Sequence, residues 1–193
     1  MSENRLELNV PVLLIAMPQV QDPDFERTVI LLTVHTEAGS EGLVLNREAP
    51  LEIREVLAGL DLHWSGMPDQ LAHFGGPVER QIGTVLYGAG PVGPPEASHE
   101  LLEGLSLTQQ VAVLSELSRT PPDRMCLYLG YAGWGEGQLL EEILRNDWLI
   151  APVVPEFVFS PTPSRMWEDA LASVGVDPNS LPSWSPVGQG SAN

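Results

Sequence analysis

The 193-residue chain contains no lysine: all nine of its basic residues are arginine, set against 26 aspartates and glutamates. Without a lysine amine there is no Walker-type or kinase-type phosphate lysine, no Schiff-base nucleophile and no cofactor aldimine. The arginines are also scattered, with no three of them inside ten consecutive residues. A nucleic-acid binder needs a basic face that displaces condensed counterions, and a net charge of -17 repels a phosphate backbone instead. Direct binding of DNA or RNA is therefore disfavoured. The one cysteine, Cys126, cannot form an internal disulfide, and its setting in Met125-Cys126-Leu127-Tyr128-Leu129 marks it as a packing thiol.

Long hydrophobic runs are missing as well. The N-terminus has no basic segment leading into an apolar stretch, and the run from Val12 to Met17 is bounded by Pro11 and Pro18. No segment approaches the roughly 18 apolar residues of a membrane helix, so the simplest reading is a cytoplasmic protein with no membrane partner. No Gly-x-Ser-x-Gly elbow is present, and in His99-Glu100-Leu101-Leu102-Glu103 a glutamate stands where a zinc-binding helix needs its second histidine. No metal site, cofactor or catalytic residue is expected on these grounds.

What is present describes one globular domain, since 43% of residues are apolar and 18% charged. Residues 1–9 read as a flexible N-terminus, 10–184 as the domain and 185–193 as a polar, disordered tail. Val12 to Ala16 and Thr28 to His35 are β-branched and Leu-rich runs of strand length. The turn chemistry of Gln21-Asp22-Pro23-Asp24-Phe25 lies between them, and a hairpin through Gly39 and Gly42 leads to a third strand at Leu43 to Leu45. Ile53, Val56, Leu57 and Leu60 form the stripe of a short helix. Thr84 to Tyr87 reads as a strand and Gly88 to Pro95 as a surface loop. Thr108 is expected to cap a helix from Gln109 to Leu117, before a strand at Met125 to Leu129. Phe157 to Phe159 is expected as a strand, and Thr162-Pro163 as the start of a last helix reaching Val174, with Gly175 as its C-terminal stop.

The richest segment runs from Leu129 through Gly130-Tyr131-Ala132-Gly133-Trp134-Gly135-Glu136-Gly137 to Gln138, and reads as a strand, a Gly-rich loop and a helix. Such a loop can offer helix N-terminal amides to an anion, but its glycine spacings fit neither a dinucleotide fingerprint nor a P-loop. The competing reading is a tight turn that lets Tyr131 and Trp134 pack closely. Asp22 and Asp24 resemble a metal-binding pair, yet Pro23 between them favours a turn role, and His35 at a strand end favours a satisfied structural histidine.

Several segments in order resemble the YqgE/AlgH family: Leu14-Ile15-Ala16-Met17-Pro18, Asp22-Pro23 with Phe25 and Arg27-Thr28-Val29, Gly42-Leu43-Val44-Leu45-Asn46-Arg47, and Gly75-Gly76-Pro77. The resemblance continues through Gly130-Tyr131-Ala132-Gly133-Trp134, Gly137-Gln138-Leu139 with Glu142-Ile143, and Trp148-Leu149, and ends near Trp167, Gly175 and Leu181. It implies a single α+β domain whose bifurcated β-sheet folds into a pseudo-barrel with flanking helices. It implies no established activity, and the label of transcriptional regulator carried by such proteins implies no DNA contact. The chain departs from the family pattern at Leu140 for Glu, at Tyr87 for His, and at Glu48-Ala49, which delay the proline to Pro50. With Leu at 140, Glu142 is the better candidate for an acidic role.

The expected function is that of a non-enzymatic binding or regulatory accessory protein, with an unknown small molecule or protein as its partner. Its groove would involve Tyr131, Trp134, Gln138 and Glu142, together with Asn46-Arg47 and the Gly75-Gly76 turn. The alternative is a small-molecule hydrolase or transferase built on the Gly-rich segment 130–138, with Glu142, His35 or Asp22 as acid or base.

Overall fold

A computed structural model describes residues 8–88, 90, 92–93 and 96–181. The expected tail at 185–193, most of the expected flexible N-terminus and part of the loop at 88–95 lie outside the described residues.

Among the described residues, ten strands and five α-helices follow one another in the order β1 (Val12–Ala16), β2 (Val29–Thr36), β3 (Gly39–Val44), β4 (Glu48–Glu52), α1 (Ile53–Ala58), β5 (Leu71–Phe74), β6 (Val78–Tyr87), β7 (His99–Leu102), β8 (Leu105–Thr108), α2 (Val111–Arg119), β9 (Met125–Gly135), α3 (Gln138–Leu144), β10 (Trp148–Pro152), α4 (Pro155–Val158) and α5 (Met166–Ser173). The sheet runs β10-β1-β2-β3-β9-β6-β8-β7, with β4 and β5 branching off β9. It curls into a half-barrel, as the resemblance implies.

Alternation along the central strands explains the layering. Leu13, Ile15, Val29 and Leu31 face one way, into a core shared with Tyr128, Leu86 and the α5 residues Met166, Trp167, Ala170 and Leu171. Leu14, Ala16, Ile30 and Leu32 face the other way, toward Trp134, Leu139 and Trp148. Both faces are covered, so β1 and β2 read as unbroken apolar runs. The second limb alternates in the same manner: Val85, Tyr87, Met125 and Leu127 pack under α1 and α2, while Leu86 and Tyr128 face the shared core.

The sheet forks at the middle of β9. Its first half pairs with β5 in parallel, at His73↔Tyr128 and Phe74↔Leu129. Its second half pairs with β3, from Gly42↔Ala132 to Gly39↔Gly135. Gly75 sits in the fork, donating its N–H to Leu129 O at 2.8 Å and accepting from Val44 N at 2.8 Å. The crossing is too tight for side chains. A Cβ at Gly75 would stand 2.2 Å from Gly130 O, one at Gly76 2.1 Å from the Tyr131 carbonyl carbon, and one at Gly130, where φ is +72°, 2.5 Å from Gly76 O.

The strands at β1 and β2 and the helices α1, α2 and α5 stand close to where the sequence places them. The β2–β3 hairpin also forms, but it turns at 37–38, so that Gly39 and Gly42 lie within β3 rather than in the connection. Four other readings need correction. The expected Gly-rich loop is strand as far as Gly135, because its glycines serve close strand approach; only Glu136 and Gly137 remain between β9 and α3. Phe157 to Phe159 is not a strand: Pro155 opens the single helical turn α4, and both phenylalanines pack on the shared core. Thr108 ends β8 rather than capping α2 directly. Its hydroxyl accepts from Gln110 N at 3.1 Å, one step before the helix, and donates to Ala97 O. Finally, β6 begins six residues before Thr84, through the polar stretch Glu79-Arg80-Gln81. The short strands β4, β7, β8 and β10 carry no sequence signal strong enough to be expected.

The fork supplies a direct test. Gly76→Ala is expected to cost more than about 4 kcal/mol or to prevent folding, since backbone atoms must move. Gly104→Ala, at φ +77° with nothing within 4 Å, should cost only about 1–2 kcal/mol of left-handed strain. Urea unfolding of the two variants measures the difference; equal costs would rule out the crossing as the constraint.

Candidate functional site

The sequence nominates eight residues, and the strand character of β9 separates them. Tyr131 and Trp134 are an odd number of residues apart and project from opposite faces of the sheet. They therefore do not line one groove, and the candidates fall into three places.

The first is an aromatic box around Glu142. Its Oε2 accepts from the indole N–H of Trp134 at 2.8 Å and from that of Trp148 at 2.8 Å, while Oε1 accepts from Gln138 Nε2 at 2.9 Å. Gln138 in turn accepts from Gly135 N at 3.0 Å, pinning the start of α3 to the end of β9. The two indoles meet edge to face with centroids 5.9 Å apart, and Phe25 stacks on Trp134 at 6.5 Å. Trp134 and Trp148 are 7% and 5% exposed. Three of the roughly four acceptor positions of the carboxylate are occupied. This arrangement holds β9, α3 and β10 together and leaves Glu142 little capacity to act as an acid or base. Trp148 was outside the nominated set; its part in the box follows only from the β1–β10 pairing that ends at Ala16↔Trp148.

The second place is a cleft of about 300 Å³ lined by Arg27, Asn46, Arg47, Ser164, Trp167 and Glu168, with Glu26 at its edge. Asn46 acts as a clamp: its Oδ1 accepts from Val29 N at 2.9 Å and its Nδ2 donates to Arg27 O at 2.9 Å. Between these bonds Arg27 is held at φ +52°, a left-handed backbone that a non-glycine residue adopts at some cost. Its guanidinium lies 4.6 Å from the centroid of the Trp167 ring and 3.3 Å from Glu168 Oε1. Trp167 is itself fixed by donating its indole N–H to Ala16 O at 2.7 Å. Arg47 donates through Nη2 to Glu26 O at 2.8 Å. Asn46 and Arg47 were nominated; Arg27, Ser164, Trp167 and Glu168 were not, although Arg27 and Trp167 stand in the segments that carry the family resemblance.

The third place is a groove of about 450 Å³ on the opposite face of β9, where Tyr131 lies with Glu41 and Glu79. Partial burial and then the charges of Glu79 and Glu41 push the Tyr131 phenol up from its ordinary value. Gly75 and Gly76 belong to none of these surfaces; their role is the crossing at the fork.

The remaining sequence candidates resolve into structural roles. Asp22 accepts from Asp24 N at 2.8 Å through its side chain and closes the turn at 22–26. His35 Nδ1 meets Ser40 Oγ at 2.7 Å as a cross-strand pair, with Ser40 4% exposed. Burial pushes the Cys126 thiol up to about 11, so it stays protonated and unreactive at neutral pH. Among the described residues no three His, Cys, Asp or Glu side chains form a group able to hold a metal ion. No helix among them is long and apolar enough to cross a membrane.

A family model described as AlgH-like matches residues 13–179. A UPF0301 protein of Myxococcus xanthus is 41% identical over 172 residues, covering 89% of this chain and 93% of the relative. A UPF0301 protein of Jannaschia is 40% identical over 176 residues, covering 89% and 91%. Among solved structures, the solution structure of AlgH from Pseudomonas aeruginosa superposes with a TM-score of 0.74 at 34% identity, covering 89% of this chain and 94% of that one. A Corynebacterium diphtheriae protein determined by X-ray crystallography gives 0.71 at 27% identity, covering 90% of each chain.

The aromatic box predicts a stability effect. Glu142→Ala strands two buried indole donors and is expected to lower unfolding stability by about 2–5 kcal/mol. Glu142→Gln, which keeps one acceptor, should lose less. Urea unfolding followed by tryptophan fluorescence and near-UV circular dichroism gives both values; a neutral Glu142→Ala would show that the box is not structural.

Proposed function

This chain belongs to the AlgH-like family, and from that premise we propose that it is a non-enzymatic binding protein that holds a small oxyanion-bearing molecule, a carboxylate or phosphate, between Arg27 and Arg47. The observation that carries this reading is the convergence of two of only nine arginines on one cleft in a chain of net charge -17. Where positive charge is this scarce and the overall field repels anions, two guanidiniums beside a cavity define the place an anion can enter.

The cleft is organised before a ligand arrives. Asn46 fixes the backbone that presents Arg27, the Trp167 ring supports its guanidinium, and Arg47 keeps free donors after its one bond to Glu26 O. The ion pair to Glu168 is exposed on both sides, 65% and 48%, so an incoming oxyanion can replace that carboxylate at little cost. The volume suits a small acid rather than a dinucleotide.

A hydrolase or transferase reading finds less support. The segment 130–138 is mostly strand, Glu142 is engaged by three donors, and Ser40, which lines a cleft of about 560 Å³ beside His35, is only 4% exposed. A regulatory effect of such a protein would run through its ligand or a protein partner, since its charge opposes contact with DNA.

Inorganic phosphate and small carboxylates should raise the thermal midpoint of the wild-type chain. Arg47→Ala should weaken that binding roughly tenfold to a hundredfold, the range of one charge-assisted hydrogen bond, with the fold intact by circular dichroism. Isothermal titration of wild type, Arg47→Ala and Arg27→Ala gives the comparison. Failure of every anion to bind, or binding unchanged in both variants, would exclude the cleft.

A further inference from the structure

We infer that the groove beside Tyr131 is a second ligand site, selective for an organic ammonium ion carried on an apolar body. Its floor and walls are aliphatic, formed by Leu43 on β3, Ile82 on β6, Leu101 on β7 and Leu107 on β8, and its volume of about 450 Å³ lies in the range of small-molecule sites. Apolar area of this kind takes up hydrocarbon from water.

The two carboxylates of the groove, Glu41 and Glu79, are joined in its lining by His99 and by the neutral Thr33, Thr84 and Gln109. Glu41, Glu79 and Tyr131 line the groove together; the strand pairing sets Val78, the neighbour of Glu79, opposite Tyr131, and places Glu41 on the same face of the sheet as Tyr131. Among the described residues no arginine is paired with either carboxylate, and no arginine lines the groove. Gln109, which also lines it, donates through Nε2 to Thr84 Oγ1 at 2.9 Å. An ammonium group has three N–H donors and no acceptor, which matches two carboxylates and a phenol oxygen.

The backbone keeps the space open. Glu41 stands opposite Gly133 in the β3–β9 register, two residues from Tyr131 on the same face. At Gly133 a Cβ would stand 3.3 Å from Tyr131 Cε2, so a side chain there would crowd the ring. Glu79 is placed by the irregularity in β6 between Val78 and Gly83, with φ +46°. The groove and the arginine cleft thus have opposite charge preference.

The probe is 2-phenylethylammonium, compared with 2-phenylethanol and 3-phenylpropionate, titrated into the full chain and followed by amide chemical shifts and calorimetry. The ammonium is expected to bind at least about tenfold more tightly than the alcohol, as a charge-assisted hydrogen bond requires, and the carboxylate weakest. The largest shifts should fall at Glu41, Thr84 and Tyr131, and added salt should weaken binding. The double variant Glu41→Gln/Glu79→Gln should abolish the preference for ammonium over alcohol while leaving phosphate binding unchanged. Equal affinity for ammonium and alcohol, shifts elsewhere on the surface, or no binding at millimolar probe would each overturn the inference. The comparison among the three probes and the shift map are made on the unmodified chain, so they decide the matter even if the double variant does not fold.

Discussion

Where Gly75 and Gly76 pass Gly130 and Tyr131, two stretches of backbone approach more closely than any side chain permits, and the architecture follows from that crossing. Because Gly75 hydrogen-bonds to both Val44 and Leu129, its own N–H and C=O are paired where β9 exchanges one neighbour, β5, for another, β3. One long strand thereby serves two limbs of the sheet. The limbs share a core on one side, and each has its own helical cover on the other: α1 and α2 for one, α3 for the other. The fork also fixes where β3 ends. Leu45, Asn46 and Arg47 follow directly, so the Asn46 clamp on Val29 and Arg27 is positioned by the same contact that joins the limbs.

Glycine has two consequences at this place, and only one of them is legible in the sequence. A run such as Gly-Tyr-Ala-Gly-Trp-Gly has the composition of a loop, and composition carries no information about approach distance. With β9 read as strand, the alternation of Tyr131 and Trp134 follows immediately; with a loop in its place, both aromatics seem free to share one groove. The opposite case is β1 with β2, where burial on both faces writes itself as continuous apolar runs and the hairpin glycines punctuate them. Phe157 to Phe159 fails for a third reason: two aromatics around a valine have strand propensity, but Pro155 and the shared core impose one helical turn.

The sites show the same division. The bond from Gln138 to Glu142 spans four residues of one helix and could be drawn from spacing alone. The indole of Trp148 reaches the same carboxylate only because β10 is the antiparallel neighbour of β1, a pairing between segments more than 130 residues apart along the chain. Arg27 and Arg47 likewise converge through the β2–β3 hairpin and the Asn46 clamp. No local pattern joins them; the family resemblance places both in its motifs without saying that they meet.

Charge finally separates what is structural from what is available. In a chain with 26 acidic and nine basic residues, there are too few arginines to give each carboxylate a cationic partner of its own. Glu142 differs because neutral donors hold it, and its charge serves to fasten two tryptophans. Glu168 differs because it shares an arginine in solvent, which makes it the group an external oxyanion can replace. Glu41 and Glu79 differ because they line a largely aliphatic groove that no arginine among the described residues enters. Nothing in these three settings assembles a nucleophile, a base and an orienting group in one cavity, whereas each of the two open ones matches a ligand of opposite charge. The proposed binding reading rests on that match.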